Sequence, residues 1–425
     1  MVRQILPLSA LLLGSAFLLF AGGVNGLILP VRGEIEGFSA ASLGLLGTGW
    51  AIGYVAGCLL TPRTVARVGH VRAFGVMCAL AAMAVLLSLL LLSPWFWIPL
   101  RAISGFCFSG AAMVVESWLN ERAQPSTRGK IFGAYTMINL AASTAGQMIL
   151  VAGDPSGYLF FVLAAIAYCA ALLPTALSAG ATPAPLVSAR LDLRLLWRNS
   201  PVAVVAVLMV GISNAAFGTL AAVYAARAGL GTSDVALFAS LPILAGAIAQ
   251  VPVGWLSDKF DRRLVLIGIT IVALAADATF LFFAPTNDVA LLGTVALFGA
   301  SVFAMYPVLI AHASDHAAPG SFIHISGGIL LIFGVGSILG PTVAGYAMSS
   351  LGIASLFMVT GAAHLVIFFF TLLRVLTTPA LATAQKAAFQ STPLGRNTTP
   401  ETANLATDEA PPIANSPEIP EHDLS

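Results

Sequence analysis

Twelve apolar runs, each closed by charge or by turn residues, constrain this 425-residue chain more than anything else in it. They fall near 5–30, 40–62, 71–92, 95–118, 130–152, 157–178, 201–226, 234–256, 263–284, 289–313, 323–350 and 352–376. A helix needs about 20 apolar residues to cross roughly 30 Å of hydrocarbon, and its backbone groups must pair within the helix because lipid offers them nothing. Composition agrees: 58% apolar and 9% charged residues, with a mean hydropathy of +0.94, against about 45–50% apolar and about 25% charged in soluble domains. The expected fold is all-α and integral to the membrane, with twelve transmembrane helices. The first run, preceded by Arg3, is longer than the apolar core of a signal peptide and is read as a span.

Orientation follows from the cations, which are retained on the cytosolic side of short loops. With the N-terminus in the cytosol, sixteen of the nineteen Lys and Arg fall inside, only Arg32 and Arg227 fall outside, and Arg101 lies within a span. The split predicts an even number of spans with both termini cytosolic, in the plasma (cell inner) membrane. A net charge of +1 says nothing about partners, and no nucleic-acid partner is expected. The four cysteines, Cys58, Cys78, Cys107 and Cys169, sit inside spans without paired spacing and read as small packing residues.

The chain divides into a first six-span half (1–178), an Arg-bearing linker (179–200), a second half (201–376) and a tail (377–425). The tail holds seven prolines and six acids against Lys386 and Arg396. With few large apolar groups it is predicted to be a disordered cytosolic extension.

Residues 254–263, GWLSDKFDRR, carry five charges between two apolar runs. They resemble the loop signature G-x-L-x-D-[RK]-x-x-[RK]-[RK] of the major facilitator superfamily, with Asp261 where a second glycine is usual. Weak repetition accompanies the loop. Gly22-x-x-Asn25 in the first span matches Gly211-x-x-Asn214 in the seventh, and Arg63, Arg67, Gly69, His70 and Arg72 stand where the second half has Asp258 to Arg263. The first-half loop departs from the pattern, with Thr61 and Pro62 and no aspartate. The run Glu116 to Arg122, followed by Arg128-Gly129, is similar to the loop after the fourth span in the YcaD-like branch, and that resemblance continues at 54–72 and 250–263. It implies two pseudo-symmetric six-helix halves with substrate bound between them near the midplane.

Pseudo-symmetry would place Asp258 near the start of the fifth span, after Arg128, where a carboxylate at a helix N-terminus gains about 0.3–1 kcal/mol. Asp258, Lys259, Arg262, Arg263 and Arg128 are therefore candidates for a gate, and a solvated loop with inside cations is the alternative. Gly49, Gly53 and Gly57 form a stripe on the second span, and Gly336, Gly340, Pro341 and Gly345 mark the eleventh. Such small-residue faces allow close helix approach. The resemblance implies that these spans meet between the halves, as sliding surfaces or as ordinary packing.

Polar residues within a membrane are costly and are functional candidates by default. The fourth span places Arg101, Gly105, Phe108, Ala112 and Glu116 on one broad helical face, and its opening Arg-x-x-x-Gly is similar to a superfamily pattern often tied to proton coupling. Snorkelling of Arg101 toward the outer surface is the other reading. Arg101 and Glu116 lie about 22 Å apart along the helix at 1.5 Å per residue, so they need separate partners. Asp277, deep in the ninth span, reads either as a buried hydrogen-bonded or protonated acid or as a proton-linked residue. The resemblance implies a cavity lined by Asn25, Arg101, Asn214, Tyr224 and Tyr306, with Gln147 and Gln250 from flanking spans. Amides, phenols and apolar walls suit a small, moderately polar or amphipathic solute.

These features predict a secondary transporter rather than an enzyme, working by alternating access, with proton coupling left open, without cofactors, and monomeric. Two rivals are kept: a non-transporting sensor, and a membrane metalloenzyme built on His312-x-x-Asp315-His316 with His324. The second has the i, i+4 histidine spacing of a metal site but no H-E-x-x-H and no paired cysteine.

Overall fold

The computed structural model describes residues 2–122, 128–176, 193–283, 285, 287–316, 322–379, 386, 389 and 399–402, without the side chains of 2–8, 122, 176 and 322–325. The first half comprises α1 (Val2–Ile35), α2 (Ala40–Val68), α3 (His70–Leu90), α4 (Pro94–Arg122), α5 (Arg128–Met148) and α6 (Leu159–Ala176). A short α7 (Leu193–Asn199) occupies the end of the predicted linker. The second half comprises α8 (Pro201–Arg227), α9 (Thr232–Lys259), α10 (Arg262–Ala278), α11 (Asp288–Asp315), α12 (Phe322–Leu351) and α13 (Ser355–Thr377). Most of the predicted linker and tail lie outside the described residues.

Local chemistry sets these boundaries. Ser39 and Ser200 cap α2 and α8 by accepting from backbone N–H groups, with Pro201 opening α8, and Asn287 and Asp261 do the same for α11 and α10. A single residue, Gly69, turns α2 into α3 at a φ of 82°, which the absence of a Cβ permits. Among the described residues, ten helices are long and apolar enough to cross a membrane. The other two long helices are α5, the more polar, and α6, the shorter. Large side chains such as Ile248, Val251, Phe282 and Phe283 remain exposed on the outside of the bundle, as lipid solvation requires.

The two halves pack alike. In the first, α1 lies on α5 and α6, α2 on α4, and α3 on α4 and α6. In the second, α8 lies on α12 and α13, α9 on α11, and α10 on α11 and α13. Every one of these pairs recurs six long helices further on, which is the two-fold repeat that the weak sequence repetition predicts. Contacts between the halves run through α2 with α12, α5 with α9, and α8 with α1 and α2.

The glycine stripe on α2 does something different from what its spacing suggests. A Cβ at Gly49, Gly53 or Gly57 would meet the carbonyls of Ile98, Ala102 and Phe106, so the stripe seats α4 within the same half. The close approach to α12 is made by Gly44 and Gly47, against Pro341 and Gly345. Likewise Gly336 and Gly340 seat α8, leaving Pro341 and Gly345 to face the other half.

Candidate functional site between the two halves

A cavity of about 140 Å³ lies where the halves meet. Its walls come from α1, α2, α4, α5 and α6 on one side and from α8, α9 and α11 on the other. Trp50, Phe108, Phe217 and Phe303 supply aromatic faces, and Asn25, Arg101 and Gln147 supply polar groups. Arg101 is the only charged residue among the described residues that line it. At 7% exposure its guanidinium is held inside the bundle, which does not fit snorkelling to the surface. Among the described residues, Asn25 Oδ1, Gln147 Oε1 and Thr219 Oγ1 are buried there without a hydrogen-bond partner.

The end of the bundle where α1 finishes, here the distal end, is bolted across the halves. Glu34 accepts from Arg227 Nε at 2.8 Å, and the same guanidinium donates to the Phe38 carbonyl at 3.3 Å. Thr48 hydrogen-bonds Thr342 at 2.6 Å and the Ile338 carbonyl at 2.8 Å, and Ser349 accepts from the Ala41 N–H at 2.9 Å. Arg32 and Arg227, the two cations expected outside, both lie at this end and both pair with carboxylates.

At the opposite, proximal end Glu116 is wholly buried. Tyr135 and Thr402 each donate to its Oε1 at 2.8 Å, and Thr399 donates to Oε2. Thr399, Glu401 and Thr402 are themselves buried. Earlier in the tail, Phe389 packs its ring against Gly254 and its N–H donates to Asp258 at 3.0 Å, while Lys386 donates to the Phe260 carbonyl. The described tail residues thus run from the second half to the first. The predicted unattached extension does not hold for them: a few hydroxyls and one ring find seats that the average composition of the tail conceals.

The charged loop works mostly within its own half. Arg262, almost fully buried, donates to Asp315 Oδ2 at 2.7 Å and to Ser257 at 2.8 Å, tying α10 to α11 and α9. Arg263 grips Asp261 at 2.7 Å and donates to the carbonyls of Arg374 and Thr378, tying α10 to the end of α13. Burial alone pushes the Asp261 carboxyl up, but hydrogen bonds from the side chain and backbone of Arg263 hold it below the usual carboxylate range. Lys259 lies over the Trp255 ring at 3.8 Å. Asp258, half-exposed, faces Arg262 Nη1 at 3.5 Å and the Phe389 N–H, rather than the start of α5. Arg128, at that start, is buried.

Asp277 is buried in a polar network that the sequence reading did not complete. Thr360 donates to its Oδ1 at 2.6 Å, His364 Nδ1 lies 2.6 Å from its Oδ2, and His364 Nε2 lies 3.0 Å from the Ser213 hydroxyl. The network joins α10, α13 and α8. Of the other predicted cavity residues, Tyr224 belongs to an aromatic cluster with Phe238, Phe280 and Phe357, and Tyr306 packs on Phe333. Asn214 and Gln250 are buried within helix packing. None of these four lines the cavity. Trp50, Tyr168 and Thr219, which do, carried no sequence signal beyond membership of an apolar run. In the histidine group, Asp315 is engaged by Arg262 and His316 Nδ1 is on the His312 carbonyl at 2.9 Å, while the His324 side chain lies outside the described residues.

The family model described as Major Facilitator Superfamily matches residues 11–319 and again 205–402. The chain belongs to the major facilitator superfamily. It is 26% identical over 342 residues to the "Uncharacterized MFS-type transporter YcaD" of Escherichia fergusonii, covering 79% of this chain and 87% of that one. The YcaD protein of Salmonella typhi is 25% identical over 379 residues, covering 88% and 97%. Among solved structures, a single-site variant of the nucleoside transporter NupG superposes with a TM-score of 0.75 at 12% identity, covering 87% of this chain and all of that one, or 100%. A D-xylose-proton symporter gives 0.65 at 18% identity, covering 91% and 99%. Likenesses this distant carry the fold. They agree with the all-α, two-half architecture.

Proposed function

We propose that this superfamily member is a secondary active transporter that moves a small solute by alternating access of the central cavity. The observation that carries the proposal is the placement of the cavity. It sits between two halves that repeat one another's packing, beneath a distal closure made of Glu34–Arg227, Thr48–Thr342 and the Gly44/Pro341 approach. A solvent-accessible ion pair is worth about 0–1 kcal/mol, so this closure is of a strength that rocking can break. By the cation split, the distal end faces outward, both termini are in the cytosol, the membrane is the plasma membrane and the structure is closed to the outside. Asn25, Arg101 and Gln147 are the substrate-facing residues of this reading. Asp258, Lys259, Arg262 and Arg263 of the second half and Arg128 of the first lie at its cytosolic end, and the buried carboxylates Glu116 and Asp277 are its proton-coupling candidates.

The test is a pair of spin-label distances on the monomer in lipid, one across the distal ends of α2 and α12 and one across the proximal ends of α4 and α11. Alternating access requires two populations that change reciprocally, with the proximal pair close when the distal pair is apart. A single fixed distance at both ends, with and without candidate solutes, overturns the reading and favours a non-transporting sensor.

A further inference from the structure

We propose that the solute is a small organic monoanion with a flat apolar body and a hydrogen-bond donor of its own. This rests on the transporter reading and concerns the same cavity.

The charge follows from the lining. Arg101 contributes the single charged side chain there, and no carboxylate lines the cavity among the described residues. A cationic solute would meet Arg101 and no compensating acid, and desolvating a charge without a partner is strongly unfavourable. A dianion would leave one of its charges with nothing but neutral amides and rings. A carboxylate matches the planar donor fork of a guanidinium, which binds such groups through paired N–H bonds.

The donor follows from the acceptors left over. Asn25 Oδ1, 2% exposed as a residue, and Gln147 Oε1 both lie in the wall with no donor among the described residues, and Thr219 Oγ1 is a third. Buried oxygens of this kind are usually paired, and these three face the cavity, where an O–H or N–H on the solute can reach them. The body follows from size and walls. The cavity's 140 Å³ is close to the roughly 150 Å³ that accommodates one benzene ring, and Trp50, Phe108, Phe217 and Phe303 present ring faces and edges to it. Together these describe a ring-sized monocarboxylate bearing a hydroxyl or amide N–H.

The experiment uses the purified full-length protein and four matched probes: 4-hydroxybenzoate, benzoate, 4-hydroxybenzamide and 4-hydroxybenzylamine. A compound that binds the folded state raises the melting temperature by mass action. The expected order is 4-hydroxybenzoate first, benzoate weaker for lack of the donor, the amide about ten- to hundredfold weaker for lack of the charge-assisted bond, and the amine without effect. Arg101→Gln should erase the preference for carboxylate over amide, and Arg101→Lys should retain part of it. Should Arg101→Gln fail to fold, the carboxylate-to-amide comparison in the unaltered protein still decides.

Amide or amine stabilising as well as the carboxylate overturns the proposal, as does a failure of either carboxylate to bind. Uptake into proteoliposomes separates this from the transporter reading. A neutral or cationic probe that is carried across overturns the anion class while transport stands. A carboxylate that binds at Arg101 and is never carried supports the class and overturns transport.

Discussion

Thr402 donates a 2.8 Å hydrogen bond to Glu116 across 286 residues of chain. With Tyr135 and Thr399 it gives the buried carboxylate three hydroxyl donors. The neighbouring Glu401 is 5% exposed. In a variant whose native cysteines are replaced, Glu401→Cys is therefore expected to react slowly with a maleimide. Adding Glu116→Ala should release the segment, and an ordinary hydrogen bond worth about 0.5–1.5 kcal/mol predicts labelling at least about two- to tenfold faster. Labelling of Glu401→Cys at the rate of a free thiol before that change would show that the segment is not seated.

Arg262 and Asp315 are exposed by only 1% and 3% of their side chains, which makes theirs the most enclosed Arg–carboxylate pair among the described residues. Removing one partner of such a pair strands a buried charge and typically costs about 3–5 kcal/mol. Asp315→Ala should therefore lower the melting temperature sharply. Glu36→Gln, which breaks the more exposed pair with Arg32, should change it little, as expected for about 0–1 kcal/mol. Equal shifts for the two variants would mean that the Arg262 pair carries no special weight.

The architecture was legible in the sequence because lipid leaves the backbone few choices, and run length then fixes where the long helices fall. The site was legible only where a residue is costly in lipid. Arg101, Asn25 and Gln147 stand out from apolar runs and do line the cavity. Tyr224 and Tyr306 stand out equally, yet pack among rings, since a phenol satisfies itself at a helix interface as readily as in a cavity. His364 and Ser213 complete the Asp277 network from 87 residues after the aspartate in one case and from another helix of the half in the other. No local spacing announces such a meeting. The seating of the tail was hidden for a related reason: composition averages over 49 residues, whereas two hydroxyls, those of Thr399 and Thr402, make the bonds to Glu116.

Asp277 and His364 should behave as one unit. A double-mutant cycle with Asp277→Asn and His364→Gln, read as thermal stability, is expected to give a coupling of about 0.5–3 kcal/mol, the range for residues sharing one hydrogen-bond network. Additive effects would show that the 2.6 Å contact contributes nothing that either residue lacks alone.

Asp261 supplies a dependence on pH with a definite sign. Burial opposes its charge, but Arg263 lowers its folded pKa below the usual range, so the charged form stabilises the folded state. That contribution is present above the unfolded carboxylate value of about 3.9 and is lost as pH falls through the lower folded value. The gap in melting temperature between the natural protein and Asp261→Asn should be constant from about pH 5 to 8 and should close below about pH 4. A gap that widens on acidification would reverse the assigned direction.

Gly44 and Gly53 offer the sharpest separation of gating from packing, because the same substitution at each meets a carbonyl on a different kind of surface. A side chain at Gly53 would run into the Ala102 carbonyl of α4 in its own half, whereas one at Gly44 would run into the Pro341 carbonyl of α12 across the interface. Overpacking costs about 1–3 kcal/mol when the surroundings cannot yield. At Gly53 they cannot, so Gly53→Leu should lower the melting temperature. At Gly44 the strain is relieved if the halves part at their distal ends, so Gly44→Leu should keep most of its stability and shift the α2–α12 distance distribution toward the separated population, by about tenfold for each 1.4 kcal/mol relieved. If instead Gly44→Leu loses stability as Gly53→Leu does and its distance distribution stays closed, the interface beneath Pro341 is fixed packing and the halves do not part there.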